Sequence, residues 1–387
     1  MDTPALYDFT PLLHVMLMGA ALALAPLAWV WLRQRDVAPS RRLHALTLLT
    51  LFLTFDLVLF GAFTRLTDSG LGCPDWPGCY GQASPVGAQA HISAAQVAMP
   101  GGPVTHGKAW VEMIHRYLAT GVGVLILVLA AASWRERWRK ETPVAINPWW
   151  PTWTLVWVAI QGGFGALTVT MKLFPAIVTL HLLGGMVLLA LLCLQAVHYA
   201  QQHGPRPALT AGPGLRLLLG ITSALVVAQI ALGGWVSTNY AVLACREFPL
   251  CQGTWWPEMN FSQGFALWRE LGMTPDGQLI NFAALTGIHY VHRLAAYVVV
   301  PLLALLAWRM KNVDAWRRPA RWLMVLTALQ FLTGLSNVVL GWPMAAALLH
   351  TGGAAALVVV LTWAMAIARA QAARAPAPHP FVSRRPA

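Results

Sequence analysis

Charged residues are scarce in this chain. Of its 387 residues, 10% are Asp, Glu, Lys or Arg, whereas an ordinary soluble domain has about 25%. Hydrophobic residues make up 57% of the sequence, so composition alone predicts an integral membrane protein. The net charge of +12 is spread over short basic runs between apolar segments and forms no single patch, so no nucleic-acid partner is expected.

Nine apolar runs reach the roughly 20 residues that a helix needs to cross a bilayer. They lie at about 11–32, 43–65, 109–134, 149–170, 175–200, 214–237, 284–308, 320–341 and 344–369. The first run is predicted to be a retained anchor and not a cleaved leader. The residues before it include two Asp and no Lys or Arg, and the basic cluster follows it.

Basic residues are concentrated in alternate connections between these runs. The clusters are Arg33, Arg35, Arg41 and Arg42; Arg135, Arg137, Arg139 and Lys140; Arg309, Lys311, Arg317 and Arg318; and Arg369 and Arg374. Because basic connections stay in the cytoplasm, the pattern predicts an external N-terminus, a cytoplasmic C-terminus and long external loops at 66–108 and 238–283. The Pro-, Ala- and Arg-rich segment 370–387 is predicted to be a disordered cytoplasmic tail.

Cysteine is also sparse, with five residues in the whole chain. Two pairs with the same spacing lie in the predicted external loops, Cys73 with Cys79 and Cys245 with Cys251. An oxidising compartment favours one disulfide in each loop. Metal binding by two thiols without a nearby histidine is the weaker alternative, and a redox-active role stays open beside a structural one. Cys193, alone in an apolar run, is predicted to pack as a small apolar residue.

The second to fifth apolar runs resemble the sixth to ninth. Both cysteines of a pair are displaced by 172 residues between the two units, from 73 to 245 and from 79 to 251. The motif QGGFG at 161–165 matches QFLTG at 330–334, and HLLGG at 181–185 matches HTGG at 350–353. Each unit has an even number of spans, which predicts parallel repeats related by an axis along the membrane normal.

The predicted fold class is therefore an all-α polytopic membrane protein. It consists of two parallel-repeat four-helix bundles, at 43–213 and 214–369, with one extra N-terminal transmembrane helix within residues 1–42.

Four histidines occupy equivalent places in the two units, namely His115, His181, His292 and His350. Each lies about six or seven residues inside a run entered from the external side, which is about 9–10 Å of helix. Ionisable residues inside a membrane are functional by default. Paired histidines from facing helices of a four-helix bundle can hold a b-type haem, with one imidazole on each face of the iron. Zinc is the weaker alternative because it takes further ligands in a tetrahedral array.

Pairs of glycines follow two of these histidines. They are Gly184, Gly185, Gly352 and Gly353. Such glycines would let a flat macrocycle approach a helix backbone, and helix packing is the alternative.

The two units differ one turn before the first histidine. AWVEMIHRYLA at 109–119 carries Glu112 three residues before His115, whereas IHYVHRLAAY at 288–297 carries His289 before His292. Side chains at i and i+3 share a helix face, so Glu112 is expected near the iron. A carboxylate there can move protons or stabilise a cationic carbon. The alternative is a favourable charge in the first helical turn. His289 either lines the second pocket or packs.

Three further polar residues lie in the apolar runs. Arg116 and Arg293 follow histidines and are expected to pair with haem propionates, because Arg binds carboxylates in a forked geometry. Snorkelling to lipid headgroups is the alternative. Asp56 falls in mid-span, where a charge costs at least a few kcal/mol. It is expected to face the bundle and to pair or be protonated, and a role in a proton path is a hypothesis.

These residues resemble the haem A synthase family. The resemblance rests on Glu112-Met-Ile-His115-Arg116, on HLLGG at His181, on His292-Arg293 and His350, and on the cysteine pairs. It covers 43–369, and the first span is additional to the family's eight-helix core. The cysteine pairs match the bacterial branch that has one pair in each half.

The resemblance implies a reaction and a division of labour. Family members convert haem O to haem A for haem-copper cytochrome oxidases, by oxidising a ring methyl to a formyl group through successive hydroxylations and loss of water. The C-terminal half would keep a haem b cofactor on His292 and His350. The N-terminal half would take haem O between His115 and His181, with Glu112 as the essential acid.

The expected location is the bacterial inner membrane, with the haem sites toward the extracytoplasmic side. The expected partners are haem O synthase, an electron-transfer protein and membrane lipid, and homo-oligomerisation stays open. Two other functions fit part of the pattern. A di-haem b-type quinol-oxidising protein explains four histidines but not the Glu112–His289 difference or the cysteines. A haem carrier predicts labile binding at both sites and no chemical change to the haem.

Overall fold

The computed structural model describes residues 10–139, 146–203 and 211–372. Within these ranges the chain forms eleven α-helices joined by loops and two short 3₁₀ turns. The helices are α1 (Thr10–Arg33), α2 (Pro39–Leu66), α3 (Gln89–Ala98), α4 (His106–Arg139), α5 (Trp149–Thr170), α6 (Pro175–His203), α7 (Pro213–Thr238), α8 (Phe261–Gly264), α9 (Phe282–Met310), α10 (Arg317–Val339) and α11 (Met344–Ala372).

The prediction of nine membrane-spanning helices is confirmed for the described ranges. Every α-helix except the short α3 and α8 is long and apolar enough to cross a bilayer. The boundaries differ most at α4, which begins three residues before and ends five residues after the predicted run, because polar and charged residues extend the helix beyond its apolar centre. Helix α10 ends at Val339, before the predicted 341, because Gly341 and Trp342 adopt left-handed backbone with φ of 68° and 64°.

Some predictions concern residues that the structure does not describe. Lys140, Arg374 and residues 373–387 of the predicted tail lie outside the described residues, whereas residues 370–372 complete α11. The orientation across the membrane, the parallel relation of the repeats and the domain boundaries stay predictions.

Eight of the long helices pack in two groups of four. In the first group, α2 contacts α4 and α6, and α5 contacts the same two helices, so that α4 and α6 occupy opposite corners. In the second group, α7 contacts α9 and α11, and α10 contacts the same two, so that α9 and α11 occupy opposite corners. The four predicted histidines all lie on these opposite-corner helices.

Buried threonines in these apolar helices satisfy their hydroxyl groups within their own helix. Thr47, Thr50 and Thr54 are buried along one face of α2, and each hydroxyl donates to the backbone carbonyl four residues earlier, at 2.7 to 2.8 Å. This bond satisfies the hydroxyl within its own helix, as a membrane interior requires. The three buried threonines mark the face of α2 that packs against the bundle.

The two groups meet along α2 and α6 on one side and α7 and α11 on the other. Glycine permits the close approach: a Cβ on Gly352 of α11 would lie 2.8 Å from Leu59 of α2. Cys193 of α6 is buried, and its Sγ lies 3.5 Å from the carbonyl oxygen of Val359 on α11. The prediction that Cys193 packs as a small apolar residue is confirmed.

The extra helix α1 packs against the first group only, mainly along α4. A Cβ on Gly19 would lie 2.5 Å from Cβ of Thr120, so the two helices touch where α1 has no side chain. Val15 of α1 also packs in one apolar cluster with Cys73, Cys79 and Met113. Helix α1 therefore covers the helix and the loop on which Glu112 and its neighbours lie.

Candidate functional site

The four histidines form two pairs, one in each group of helices. His115 on α4 and His181 on α6 lie within electrostatic reach of each other across the first group. His292 on α9 and His350 on α11 have the same relation in the second group. Within the described residues, no three His, Cys, Asp or Glu side chains cluster as metal ligands. Among the described side chains each bundle thus offers two imidazoles, fewer ligands than a tetrahedral zinc site takes.

Each imidazole lies against a glycine of a neighbouring helix. In the first group, a Cβ built on Gly61 would lie 3.0 Å from Nε2 of His115, and a Cβ built on Gly165 would lie 3.5 Å from Cε1 of His181. In the second group, a Cβ built on Gly233 would lie 2.9 Å from Cε1 of His292, and a Cβ built on Gly334 would lie 3.2 Å from Cε1 of His350. A larger side chain at the closest of these positions would displace the ring. These four glycines were missed in the sequence, although they share the displacements of the repeat, 172 residues from 61 to 233 and 169 from 165 to 334.

The glycine pairs noted in the sequence have another use. A Cβ on Gly184 would lie 2.1 Å from the amide of Gln161, and one on Gly353 would lie 2.2 Å from the amide of Gln330. These glycines seat glutamines of the adjacent helix, so the helix-packing alternative describes them.

The histidine pairs fit a haem held from both faces. The rings project from opposite-corner helices, and each is seated in a recess that a Cβ would fill. His181 Nδ1 is buried and forms no hydrogen bond to any described residue. Two imidazoles from opposite-corner helices of a bundle are the donor set of a bis-histidine haem.

Glu112 is buried on α4, one turn before His115. Its Oε2 accepts a hydrogen bond from the backbone N–H of Cys73 at 2.8 Å, and its Oε1 forms an ion pair with Arg116. The alternative that Glu112 is only a favourable charge in the first turn of its helix is wrong, because α4 begins at His106 and has no acidic residue in its first turn. The carboxylate is therefore fixed between its helix and the adjoining loop.

His289 occupies the equivalent place in the second group and is also buried. Its Nδ1 lies 3.1 Å from the carbonyl oxygen of Ala241, and its Nε2 lies 3.5 Å from the guanidinium of Arg293. Both ring nitrogens thus contact protein groups near the second external loop. Glu112 and His289 thus each contact the external loop of their own half, but only the first half uses an acid.

Arg116 and Arg293 bind the two cysteine-containing loops. Arg116 donates to the carbonyl oxygens of Asp75 and Pro77 at 3.0 and 3.2 Å, and Arg293 donates to that of Leu250 at 2.9 Å. Both guanidinium groups point into protein, which is not the arrangement of a snorkelling side chain. The pairing with propionates stays a prediction.

The cysteine pairs form disulfides in these loops. Cys73–Cys79 and Cys245–Cys251 each have a Cα–Cα distance of 4.9 Å, and all four residues are fully buried. The backbone of Cys73 binds Glu112, and the carbonyl of Cys245 accepts from Arg293 at 3.4 Å. The first disulfide loop is thereby joined to α4, which carries His115, and the second to α9, which carries His292.

Asp56 does not face the bundle, so the expectation for this residue is wrong. It lies two positions from the buried Thr54, on the opposite side of α2, and it is exposed. The helical repeat of 3.6 residues places positions 47, 50 and 54 inward and position 56 outward. Among the described side chains, Asp56 forms no ion pair.

Comparison with known proteins covers the region that holds these residues. Residues 44–362 match the family model described as cytochrome oxidase assembly protein. A protein named heme A synthase from Shewanella oneidensis is 37% identical over 316 residues, which are 81% of this chain and 92% of the relative.

Proteins of the same name from two other bacteria are more distant. The one from Mesorhizobium japonicum is 27% identical over 385 residues, covering 95% of this chain and 100% of the relative. The one from Halalkalibacterium halodurans is 25% identical over 303 residues, covering 76% and 86%. The matched region 44–362 includes both histidine pairs, Glu112 and both disulfide loops.

Proposed function

The chain belongs to the haem A synthase family, and from this premise we propose how its residues carry out the family's reaction. It is a multi-pass membrane enzyme that converts haem O to haem A in cytochrome oxidase assembly. For this reaction the chain needs a substrate site, a cofactor site and an acid.

The N-terminal pair, His115 and His181, holds haem O in this proposal. The observation that carries the assignment is the single difference one turn from the ligands. Glu112 is a buried acid beside His115, whereas His289 occupies the equivalent position beside His292. Two electron-transfer haems would need two similar pockets, so an acid in one half indicates that the chemical change occurs there.

When bound, the haem supplies the iron and oxygen chemistry, and the chain supplies position and charge. The imidazoles of His115 on α4 and His181 on α6 would bind the substrate haem. The Cys73 N–H and the Arg116 guanidinium orient the carboxylate of Glu112. A fixed carboxyl can give a proton when water is lost from the oxidised methyl carbon, and its anion can stabilise positive charge at that carbon.

The C-terminal pair, His292 and His350, holds haem b as a resident cofactor in this proposal. The support is the shared geometry: the same opposite-corner placement and the same glycine recesses at Gly233 and Gly334, without a neighbouring acid. Arg116 and Arg293 remain candidates for binding propionates, at the loop end of each site.

We place both haem sites toward the extracytoplasmic side of a bacterial inner membrane. The support is the distribution of basic residues, which follow the first, third, seventh and ninth spans. Haem O synthase as the source of substrate, and an electron-transfer protein as a redox partner, are the partners this reaction requires.

Extraction and mass analysis of the haem tests this function. The full chain is expressed with a source of haem O, purified in detergent, and its haems are extracted and identified by mass. We expect haem b together with haem A or its hydroxylated precursor. Unmodified haem O and haem b under all conditions would support the carrier or the di-haem electron-transfer protein and would overturn the enzyme.

A further inference from the structure

The two halves differ in what contacts the Nδ1 atoms of the histidines. In the second half each histidine has a polar side chain at hydrogen-bond distance from Nδ1, whereas no described side chain takes this place at either histidine of the first half. We infer that this difference makes the C-terminal pair retain its haem and lets the N-terminal pair exchange its haem. The inference rests on the proposed function, in which both pairs bind haem.

The clearest contact is at His350. Its Nδ1 lies 3.0 Å from the hydroxyl oxygen of Thr333 on α10. That hydroxyl can give its own proton to the carbonyl oxygen of Leu329 at 2.7 Å or to that of Gln330 at 3.4 Å, which leaves its oxygen free to accept from the ring. With its proton on Nδ1 donated to this hydroxyl, His350 would present the Nε2 lone pair for a metal.

His292 is held by the amide of Gln229 on α7. The amide nitrogen lies 3.1 Å from His292 Nδ1 and 3.0 Å from the carbonyl oxygen of the same residue, so it spans ring and backbone. The amide oxygen is buried and makes no hydrogen bond to any described residue. In this orientation the amide donates, and Nδ1 accepts. An Nε2-bound iron needs the proton on Nδ1, so on iron binding the amide would turn its oxygen toward Nδ1–H and give up its bond to the His292 carbonyl.

The equivalent positions in the first half are apolar. The displacement of 172 residues relates Gln229 to Leu57, and the displacement of 169 relates Thr333 to Phe164. No described residue hydrogen-bonds either ring nitrogen of His115, whose ring stacks on Phe60 with a centroid distance of 6.3 Å.

His181 Nδ1 is likewise buried without a hydrogen bond to the part of the chain that the structure describes. The backbone carbonyl of Gln161 lies toward this ring without reaching hydrogen-bond geometry, and the carbonyl of Gln330 has the equivalent relation to His350. The backbone contact is therefore the same for His181 and His350. The two halves differ in the side chain at the equivalent position of the repeat, which is Phe164 in the first half and Thr333 in the second.

A partner on Nδ1 fixes the tautomer and the orientation of a metal-bound imidazole and makes it a stronger donor. Loss of such a partner typically costs about 10- to 100-fold in metal affinity. Both ligands of the proposed haem b site have one, which suits a cofactor that stays bound. A substrate site must release its product after each reaction, and ligands without partners suit that exchange. Thr333 and Gln229 are thus positioning residues that act through His350 and His292.

Haem release measured for each haem separately tests the inference. The purified full chain is mixed with excess apomyoglobin as haem acceptor, and the haem left on the enzyme is identified by extraction. We expect haem b to leave about 10- to 100-fold faster from Thr333→Val and from Gln229→Leu than from the unaltered enzyme. Thr333→Ser keeps the hydroxyl and should retain haem b.

A matched control lies on the same helix. Thr327 is also buried on α10 and donates to Leu323 at 2.6 Å, but it contacts no histidine. Thr327→Val should leave haem b release unchanged. The reduction potential of haem b gives a second measurement: it should rise in Thr333→Val, because a weaker imidazole donor stabilises ferric iron less, and stay constant in Thr327→Val.

The reciprocal substitution in the first half should increase haem retention there, which a misfolded variant would not do. Phe164→Thr places a hydroxyl at the position equivalent to Thr333 and should slow release of haem O and haem A by a similar factor. Equal haem b release from Thr333→Val, Gln229→Leu and the unaltered enzyme would overturn the inference. Retention of haem b by His292→Ala would overturn the proposed function instead, since haem b would then lie elsewhere.

Discussion

The carboxylate of Glu112 accepts a hydrogen bond from the backbone N–H of Cys73 at 2.8 Å. This bond joins an acid on a membrane-spanning helix to the disulfide of an external loop. Arg116 completes the connection, because it pairs with Glu112 and also donates to the loop carbonyls. Glu112, Arg116 and the Cys73–Cys79 loop therefore form one structural unit next to His115.

Replacement of Glu112 by Gln tests the acid directly. Gln keeps the size of the side chain and can still accept from Cys73, but it loses the charge and the proton. We expect haem A formation to fall by about 10²-fold or more, with haem b still bound. The measurement is the ratio of haem A to haem b in extracts of cells that also make haem O.

Glu136→Gln is the matched control, since Glu136 lies on the same helix near its other end. It should leave the ratio unchanged. Full haem A formation by Glu112→Gln would remove Glu112 from the chemistry and leave it a structural residue that holds the loop.

The disulfide loops should affect the two haems differently. Replacement of Cys73 and Cys79 by Ser loosens the loop that orients Glu112, so haem A formation should fall while haem b is retained. Replacement of Cys245 and Cys251 loosens the loop held by Arg293, so haem b content should fall first. Haem A and haem b are measured in both double variants, and identical losses would contradict the separate roles.

The exchange of arginine for lysine separates charge from geometry. Arg116→Lys keeps a positive charge but loses the fork that reaches Glu112 and several loop carbonyls at once. Haem A formation should fall with haem b retained, whereas Arg293→Lys should lower haem b content. Unchanged haem contents in both variants would show that charge alone suffices.

The sequence predicted the spans, the paired histidines and the cysteine pairs, because each leaves a direct signal. Apolar length, internal displacement and residue type suffice for these features. The sequence did not predict that Asp56 points outward, because a single charge in a uniformly apolar run has no visible helix phase. That phase becomes clear only when Thr47, Thr50 and Thr54 are seen to be buried.

The contacts of the histidines depend on tertiary packing and were not visible in the sequence. Gly61 and Gly233 matter because a ring from another helix lies against them, and nothing in the local sequence tells them from other glycines. Thr333 looks like any membrane threonine until its hydroxyl is found at His350. The internal repeat was the one available signal, since it relates Thr333 to Phe164.

Asp56 should be dispensable for the reaction. Because its side chain is exposed on α2 and turned away from both histidine pairs, it has no route to the proposed substrate site. Asp56→Asn is expected to keep full haem A formation, measured as haem A per haem b in cell extracts. A large loss of haem A in this variant would restore the proton-path hypothesis.

The glycine recesses allow each half to be altered alone. Gly61→Ala places a Cβ 3.0 Å from His115 Nε2, and Gly233→Ala places one 2.9 Å from His292 Cε1. The ring must shift in each case, so Gly61→Ala should lower haem O binding and haem A formation, and Gly233→Ala should lower haem b content. Gly220 lies on the same helix as Gly233 but has nothing within 4 Å of an added Cβ. Gly220→Ala should therefore leave both haems unchanged, and a loss of haem b there equal to that in Gly233→Ala would assign the effect to the helix instead of the recess.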